Sequence, residues 1–268
     1  MTEYHIPPAI AAPAPAAAAI KSVLVTGGAG RIGRYFIQYA ARRYTIRMVD
    51  RIAWPEAGLG PFPGAEAHTA DLSDLDACRR LCAGMDAVLH LAADPNPDAP
   101  MESLLPNNIV ATYNLFAAAA EAGCRRFVFA SSIHAIEGYP DDMVVRPEMP
   151  VWPRNLYGAS KVWGETVGIV FAYQRNLPSI AIRIGAYVHP ASRYPLPAKL
   201  RKIFTHPDDL NPLLVACLEA SVPYAIVHAG SNNRHKRLDI EATIRDFGYD
   251  PQGDAYELFP EGHDSPES

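Results

Sequence analysis

Tyr157 and Lys161 are the residues whose types and spacing could do chemistry together. Side chains four apart on a helix share one face, with Cβ atoms about 5 to 6 Å apart. A phenol has an ordinary pKa of about 10, and lowering it to neutral pH requires about 4 kcal/mol of preference for the phenolate. The ammonium of Lys161 and a second positive charge close to the phenol could supply that preference together. Tyr157 is therefore a candidate general base, although the same spacing in isolation describes a solvated helix face.

Ser131 and Ser132 follow a predicted strand at residues 126–130. Polar side chains at the carboxyl end of a parallel strand face the crevice where ligands bind. Ser132 would hydrogen-bond the reacting oxygen while Tyr157 removes its proton, and a hydride could then pass to an acceptor. These three residues form the predicted catalytic set.

A strand, a glycine turn and a helix precede this set and predict a dinucleotide site. The apolar residues 21–26 run directly into Gly27, Gly30 and Gly33, whose spacing permits a tight turn and close approach to a pyrophosphate. The amides at the start of the next helix can bind phosphate. Asp50 ends the second predicted strand, where a carboxylate bonds the adenosine ribose and repels a 2′-phosphate. The pattern favours NAD over NADP, although Arg51 could hold that phosphate.

Alternating apolar strands and amphipathic helices predict an α/β fold, a Rossmann-type doubly wound parallel sheet with a small C-terminal substrate-binding portion. The predicted strands are residues 21–26, 45–50, 66–70, 86–91, 126–130, 179–185 and 224–228. Predicted helices follow most of them, including residues 75–81, 107–123, 207–219 and 238–247. Residues 94–106 and 138–155 are rich in proline and predict irregular loops. Asp71 or Ser73 could cap the helix at 75–81.

Composition excludes several classes of function. A net charge of −5 and a pI near 6.0 give no general basic surface for nucleic acid or an anionic membrane, and no apolar run approaches the ~20 residues of a membrane helix. The four cysteines lack metal-site spacing, so we predict no metal and a reducing cytoplasm. Residues 1–20 predict a flexible Ala/Pro-rich tail. His90 is interpreted as a core residue.

The motifs resemble the extended short-chain dehydrogenase/reductase superfamily, also called the NAD-dependent epimerase/dehydratase family. They are T-G-G-A-G-R-I-G at 26–33, Asp50, Asp71-Leu72, H-L-A-A at 90–93, Asn108, S-S at 131–132 and Y-G-A-S-K at 157–161. The resemblance covers residues 21 to about 230. It implies NAD as cofactor, contacted by Gly27, Gly30, Arg31, Ile32, Gly33, Asp50, Arg51, Asp71, Leu72, Leu91, Ala92, Ala93, Asn108, Ser131, Tyr157, Lys161 and Ile184.

Within that superfamily the chain is most similar to the uronate dehydrogenase family, through F-A-S-S-I-H at 129–134, R-I-G at 183–185 and F-T-H-P-D-D-L at 204–210. This likeness implies oxidation of a sugar C1 hydroxyl to a lactone, with Lys161 lowering the pKa of Tyr157. The implied substrate contacts are Asn96, Ser132, Ile133, His134, Tyr157, Ala186 and Arg193.

Three positions depart from the uronate dehydrogenase pattern. Ile133 stands where that family has asparagine, Ala186 where it has serine, and Pro195 where it has the carboxylate-binding arginine. Arg193 could replace that arginine or face solvent. The carbohydrate substrate is therefore a neutral sugar, a different sugar acid, or something less polar.

Two alternative functions remain: a nucleotide-sugar epimerase or reductase, and a dinucleotide-sensing regulator. Only 107 residues follow Lys161, which disfavours the first, and an intact catalytic set disfavours the second. Residues 21–268 are predicted to form one NAD-binding domain, with substrate-binding elements at about 133–156 and 186–268. The resemblance also implies a homo-oligomer.

Overall fold

The computed structural model describes residues 19–53, 64–189 and 196–259. Most of the predicted N-terminal tail, together with Arg193 and Pro195, lies outside these residues. The strands are β1 (Ser22–Thr26), β2 (Thr45–Asp50), β3 (Ala65–Thr69), β4 (Ala87–His90), β5 (Arg126–Ser132), β6 (Ser179–Ile184), β7 (Ala186–Tyr187), β8 (Phe204–Thr205) and β9 (Tyr224–Ala229).

The helices alternate with these strands along most of the chain. They are α1 (Arg31–Ala40), α2 (Leu75–Cys82), α3 (Met101–Leu104), α4 (Ala111–Glu121), α5 (Leu156–Gln174), α6 (Ala198–Arg201), α7 (Pro207–Glu219), α8 (Glu241–Phe247) and α9 (Ala255–Leu258). A π-helix (Leu105–Val110) joins α3 to α4, and a 3₁₀ turn (Ile133–Ala135) follows β5.

Seven strands form one parallel sheet in the order β3-β2-β1-β4-β5-β6-β9. The order reverses between β1 and β4, where the connections leave for opposite sides of the sheet. A crevice therefore opens at the carboxyl ends of these strands. This is the predicted doubly wound Rossmann-type fold.

Helices cover both faces of the sheet, which is why its central strands are almost continuously apolar. Val23 and Val25 of β1 point to the face packed by α1 and α7, while Leu24 points to the face packed by α2, α4 and α5. Alternate residues of one strand thus belong to the two separate halves of the core. None of the helices among the described residues has the length and apolar character needed to cross a bilayer.

The predicted strands and main helices are confirmed, with ends shifted by one to three residues, but the helix expected from residue 107 begins earlier. Pro100 caps α3 at Met101, and Pro106 lies in the first turn of the π-helix. Pro100 is tolerated at the start of α3 because the first amides of a helix have no partner there, whereas Pro106 lies inside the helix that continues from α3. The lack of an amide on Pro106 also explains why the hydrogen bonding widens locally. The prediction of an irregular loop across residues 94–106 is therefore wrong for its last six residues.

Two further predictions need correction. Asp74, rather than Asp71 or Ser73, caps α2, and its carboxylate accepts from the amides of Asp76 and Ala77. The last long helix begins at Glu241 rather than at 238, because Leu238 is held in a β-bridge with Val145.

Candidate active site

The helix α5 carries Tyr157 and Lys161, and its first turn is fixed by a side-chain cap. Asn155 Oδ1 accepts from the amide of Gly158 at 2.7 Å, which starts the helix one residue before the tyrosine. Tyr157 is 8% exposed and Lys161 4%. The ammonium donates to the carbonyl of Ala130 at 2.9 Å and lies 5.5 Å from the centroid of the phenol ring. The pair therefore sits on one helix face, buried against the end of β5.

Ser131 and Ser132 at the end of β5 point to opposite sides. Ser132 hydrogen-bonds the phenol of Tyr157 and also accepts from the amide of His134 at 3.3 Å. Ser131 instead donates to Glu165 Oε1 at 2.6 Å, and this carboxylate is bridged by Arg183 at 2.8 Å. Of the two hydroxyls, only that of Ser132 lies beside Tyr157.

Burial dominates the ionisation of the pair. Desolvation lowers the pKa of Lys161 to about 8. It also raises the pKa of Tyr157, a shift opposed by the Ser132 hydrogen bond and increased by the nearby Asp94 carboxylate. The sequence analysis predicts that Lys161 and the nicotinamide of NAD⁺ together acidify the phenol. In the protein alone, burial and the Asp94 carboxylate instead favour the neutral phenol.

The glycine turn after β1 brings backbone segments into van der Waals contact. Gly27 has φ +66°, and a Cβ placed there would lie 2.8 Å from the amide nitrogen of Ala92. A Cβ on Gly33 would lie 2.4 Å from the carbonyl oxygen of Gly27. Asp50 Oδ2 accepts from the amide of Ala29 at 3.1 Å, so the carboxylate at the end of β2 is tied to this turn.

His90 fastens the end of β4 to the same turn. Thr26 Oγ1 accepts from the amides of Leu91 at 3.2 Å and Ala92 at 3.1 Å, so its proton is donated to His90 Nδ1 at 2.7 Å. Nε2 then carries the ring proton and donates to Thr112 Oγ1 at 3.1 Å. Burial lowers the pKa of His90 to about 3. The prediction of a core histidine is confirmed.

The N-terminus of α1 has the properties that a bound pyrophosphate requires. Gly30 is its N-cap and has no side chain to occupy the first amides, and the first turn contains no acidic residue. Asp50 stands across the turn at the distance along the chain expected for a ribose contact. The residues present therefore fit NAD.

One cleft of about 570 Å³ joins this turn to the Tyr157 pair, a volume in the usual range for a ligand site. The predicted residues that line it are Gly27, Gly30, Arg31, Ile32, Gly33, Asp50, Arg51, Asp71, Leu72, Leu91, Ala92, Ala93, Ser131, Ser132, Ile133, His134, Tyr157, Lys161, Ile184 and Ala186.

Two predicted contacts lie outside the lining of this cleft. Asn108 accepts from the amide of Asp94 at 2.8 Å and donates to Ser160 Oγ at 3.0 Å, so it joins the loop after β4 to α5. Asn96 is exposed and accepts from the amide of Asp98. Arg193 lies outside the described residues.

Several lining residues were absent from the sequence prediction. They are Ala70, Asp94, Pro95, Asn107, Ala111, Ala130, Gly185, Tyr187, Val188, Leu200 and Ile203. Asp94 could have been found, because it directly follows the small residues Ala92 and Ala93 at a strand end. Leu200 and Ile203 carry no such signal, since apolar residues so far along the chain look like ordinary core.

His134 lies edge-on to the phenol, with ring centroids 5.4 Å apart and an interplanar angle of 73°. Its Nδ1 is 2.7 Å from Glu137 Oε2 and 3.1 Å from the side-chain nitrogen of Asn155. These contacts fix the ring at the cleft wall beside Tyr157. Within the described ranges, no three histidine, cysteine or acidic side chains are grouped to hold a metal ion.

Comparisons with known proteins point in one direction. A model of the NAD dependent epimerase/dehydratase family matches residues 23–234. A protein of *Haloferax volcanii* named NAD-dependent glucose-6-phosphate dehydrogenase is 34% identical over 258 residues, which cover 90% of this chain and 96% of that protein. A uronate dehydrogenase of *Agrobacterium fabrum* is 34% identical over 203 residues, covering 76% and 74%.

A solved structure is similar over nearly the whole chain. The crystal structure of a uronate dehydrogenase variant from *Agrobacterium tumefaciens*, complexed with NAD, superposes with a TM-score of 0.83 at 29% identity. The match covers 93% of this chain and 92% of that one.

Proposed function

Because the chain belongs to the NAD dependent epimerase/dehydratase family, we propose that it oxidises the C1 hydroxyl of a sugar or sugar acid to a lactone. The relatives support the substrate class, since two of them are named as dehydrogenases of a sugar phosphate and of uronates. The observation that carries the proposal is the Ser132–Tyr157–Lys161 arrangement, which lines the same cleft as the glycine turn and Asp50.

NAD⁺ bound in this cleft supplies the acceptor for the C1 hydride. The amides of the glycine turn and of α1 would hold its pyrophosphate, and Asp50 would hold its adenosine ribose. Ser132 hydrogen-bonds the substrate oxygen, and Tyr157 takes the hydroxyl proton as the C1–H bond breaks. Lys161 keeps positive charge beside the phenol, and the second product is a proton delivered to solvent.

We also propose a domain organisation, an oligomeric state and a cellular location. Residues 21–268 form one domain, and the elements at 133–156 and 186–268 bind substrate. A second copy of the chain covers the apolar side chains exposed on α4, α5 and the π-helix, among them Leu105, Tyr113 and Trp163, and light scattering of the purified protein tests this homo-oligomer. Four free buried cysteines support a cytoplasmic location.

Turnover tests the activity directly. The protein is mixed with NAD⁺ and a panel of aldoses, uronates and sugar phosphates while absorbance of the reduced cofactor is followed. We expect at least one sugar to reduce NAD⁺. We expect Tyr157→Phe to lower kcat about 10²- to 10⁴-fold and to retain NAD⁺ affinity. Tyr39→Phe, on the exposed face of α1, is the matched control and should retain full activity.

Other outcomes of these assays distinguish the alternative functions. A sugar isomer formed without net reduction of NAD⁺ indicates an epimerase. NAD⁺ binding without turnover of any sugar indicates a sensor. Full activity of Tyr157→Phe removes this residue as the base.

A further inference from the structure

Among the described residues, apolar side chains form the cleft wall beyond Ser132 and Tyr157. Ile133 follows the catalytic serine directly, and the other members come from the segments around β7 and α6. These side chains are Ile133, Ala186, Val188, Leu200 and Ile203.

The side chains of this wall cannot move away easily, because a buried hydrophobic cluster packs behind them. Ile133 and Ile203 are 5% and 7% exposed and pack with Ile136, Val145 and Leu238. The amide of Ala186 donates to the carbonyl of Ile203 at 2.7 Å, and this bond joins β7 to the segment that leads into β8. A packed cluster of this kind resists rearrangement around a charged group.

The charges along the cleft are unevenly distributed. Among the described residues, the lysine and arginine side chains that line it are Arg31, Arg51 and Lys161. The two arginines lie at the glycine turn and after β2, and the Lys161 ammonium is bonded to the Ala130 carbonyl. Near the phenol the lining carboxylate is Asp94, which already disfavours negative charge on Tyr157.

The ring of His134 already has a carboxylate partner, since its Nδ1 lies 2.7 Å from Glu137 Oε2. A substrate carboxylate or phosphate placed against the wall would lose water and meet apolar carbon. Covering the carbon–hydrogen surface of a substrate with the same wall is favourable, because apolar surface is removed from water.

We propose that the substrate is an uncharged aldose that turns its C6 edge, a methyl or hydroxymethyl group, toward this wall. The inference rests on the proposed dehydrogenase activity and narrows its substrate class. Ile133, Leu200 and Ile203 are the residues that select the uncharged edge. Ser132 and Tyr157 contact the C1 hydroxyl, which lies across the ring oxygen from the carbon that carries C6.

A substrate series that differs only at C6 tests this selection. D-Galactose, 6-deoxy-D-galactose, D-galacturonate and D-galactose 6-phosphate are compared by kcat/KM, and the corresponding glucose series is run beside them. We expect the two uncharged members to exceed the charged ones by about tenfold or more. Leu200→Arg should raise the ratio of uronate to neutral-sugar kcat/KM about tenfold. Tyr39→Arg, on the exposed face of α1 outside the cleft, should leave that ratio unchanged.

Binding provides a readout that is independent of turnover. The Tyr157→Phe variant loaded with NAD⁺ is titrated calorimetrically with each sugar. Tighter binding of uncharged sugars supports the inference, and tighter binding of the uronate or phosphate overturns it while the dehydrogenase activity stands. If no sugar binds and none is turned over, the inference and the proposed function both fail.

Discussion

Replacing Lys161 by methionine should abolish turnover and at the same time stabilise the fold. The ammonium is 4% exposed, and burial lowers its pKa from 10.5 to about 8. At about 1.4 kcal/mol per pKa unit, keeping the charge buried at pH 7 costs about 3 kcal/mol. Methionine retains the length of the side chain but leaves the Ala130 carbonyl without this donor, which costs about 1 to 2 kcal/mol. The net expected gain is therefore about 1 to 2 kcal/mol at pH 7.

The pH dependence of this gain is the sharper test. An unfolded lysine keeps its proton up to about pH 10.5, whereas Lys161 in the folded protein releases it near pH 8. Between these values the unfolded state binds more protons, so the wild type gains stability as the pH rises. The advantage of Lys161→Met should therefore shrink by about 1.3 kcal/mol between pH 7 and pH 9.

Urea unfolding of both proteins at pH 7, 8 and 9 measures the difference, because ionisations shared by the two proteins cancel. Lys21→Met, at an exposed lysine before β1, is the matched control and should show no such trend. A stability difference that stays constant over this pH range would refute the argument that the ammonium is buried at a cost. So would a variant that is less stable than the wild type at pH 7.

Three further substitutions probe the support of the site. Gly33→Ala should lower stability by about 1 to 3 kcal/mol and weaken NAD⁺ binding, because the new Cβ would lie 2.4 Å from a carbonyl of the glycine turn; Gly230→Ala, with its nearest atom at 3.8 Å, should change the urea midpoint little. Glu165→Ala leaves the Arg183 guanidinium, 1% exposed, without its carboxylate and should cost about 3 to 5 kcal/mol of unfolding free energy. A loss below about 1 kcal/mol would contradict a tightly coupled pair. Asp50→Ser should shift the ratio of NADP⁺ affinity to NAD⁺ affinity toward NADP⁺ by about tenfold, measured by titration of each cofactor. An unchanged ratio would show that Asp50 does not contact the ribose.

The sheet and the glycine turn could be predicted because their signals are local. Each central strand is a short apolar run, and Gly27, Gly30 and Gly33 follow the first of them without a spacer. The juxtaposition of Ser132 with Tyr157 was also accessible, since the carboxyl ends of parallel strands converge on one crevice. These inferences needed only neighbouring residues and the topology of the fold.

The features that were missed depend on tertiary contacts. The prolines of residues 94–106 predict a loop, whereas the structure places Pro106 in the π-helix that continues α3, where wider hydrogen bonding accommodates its missing amide. The apolar wall combines Ile133 with Ile203, seventy residues further on, and the two meet in a cluster that residue spacing does not reveal. The raised pKa of Tyr157 follows from burial, a property that residue spacing does not contain.

His90, the neutral histidine that links β4 to the glycine turn by hydrogen bonds, also lowers the stability of the protein at acid pH. His90 and the similarly buried His228 both have pKa values lowered to about 3, so below pH 6.5 the unfolded chain takes up protons that the folded chain refuses. At pH 5 the two histidines together lower the free energy of unfolding by about 4 kcal/mol, a large part of the 5 to 15 kcal/mol typical of a domain. The hydrogen bonds that join β4 to the glycine turn therefore require a neutral imidazole, and the fold loses stability as the pH falls below 6.5.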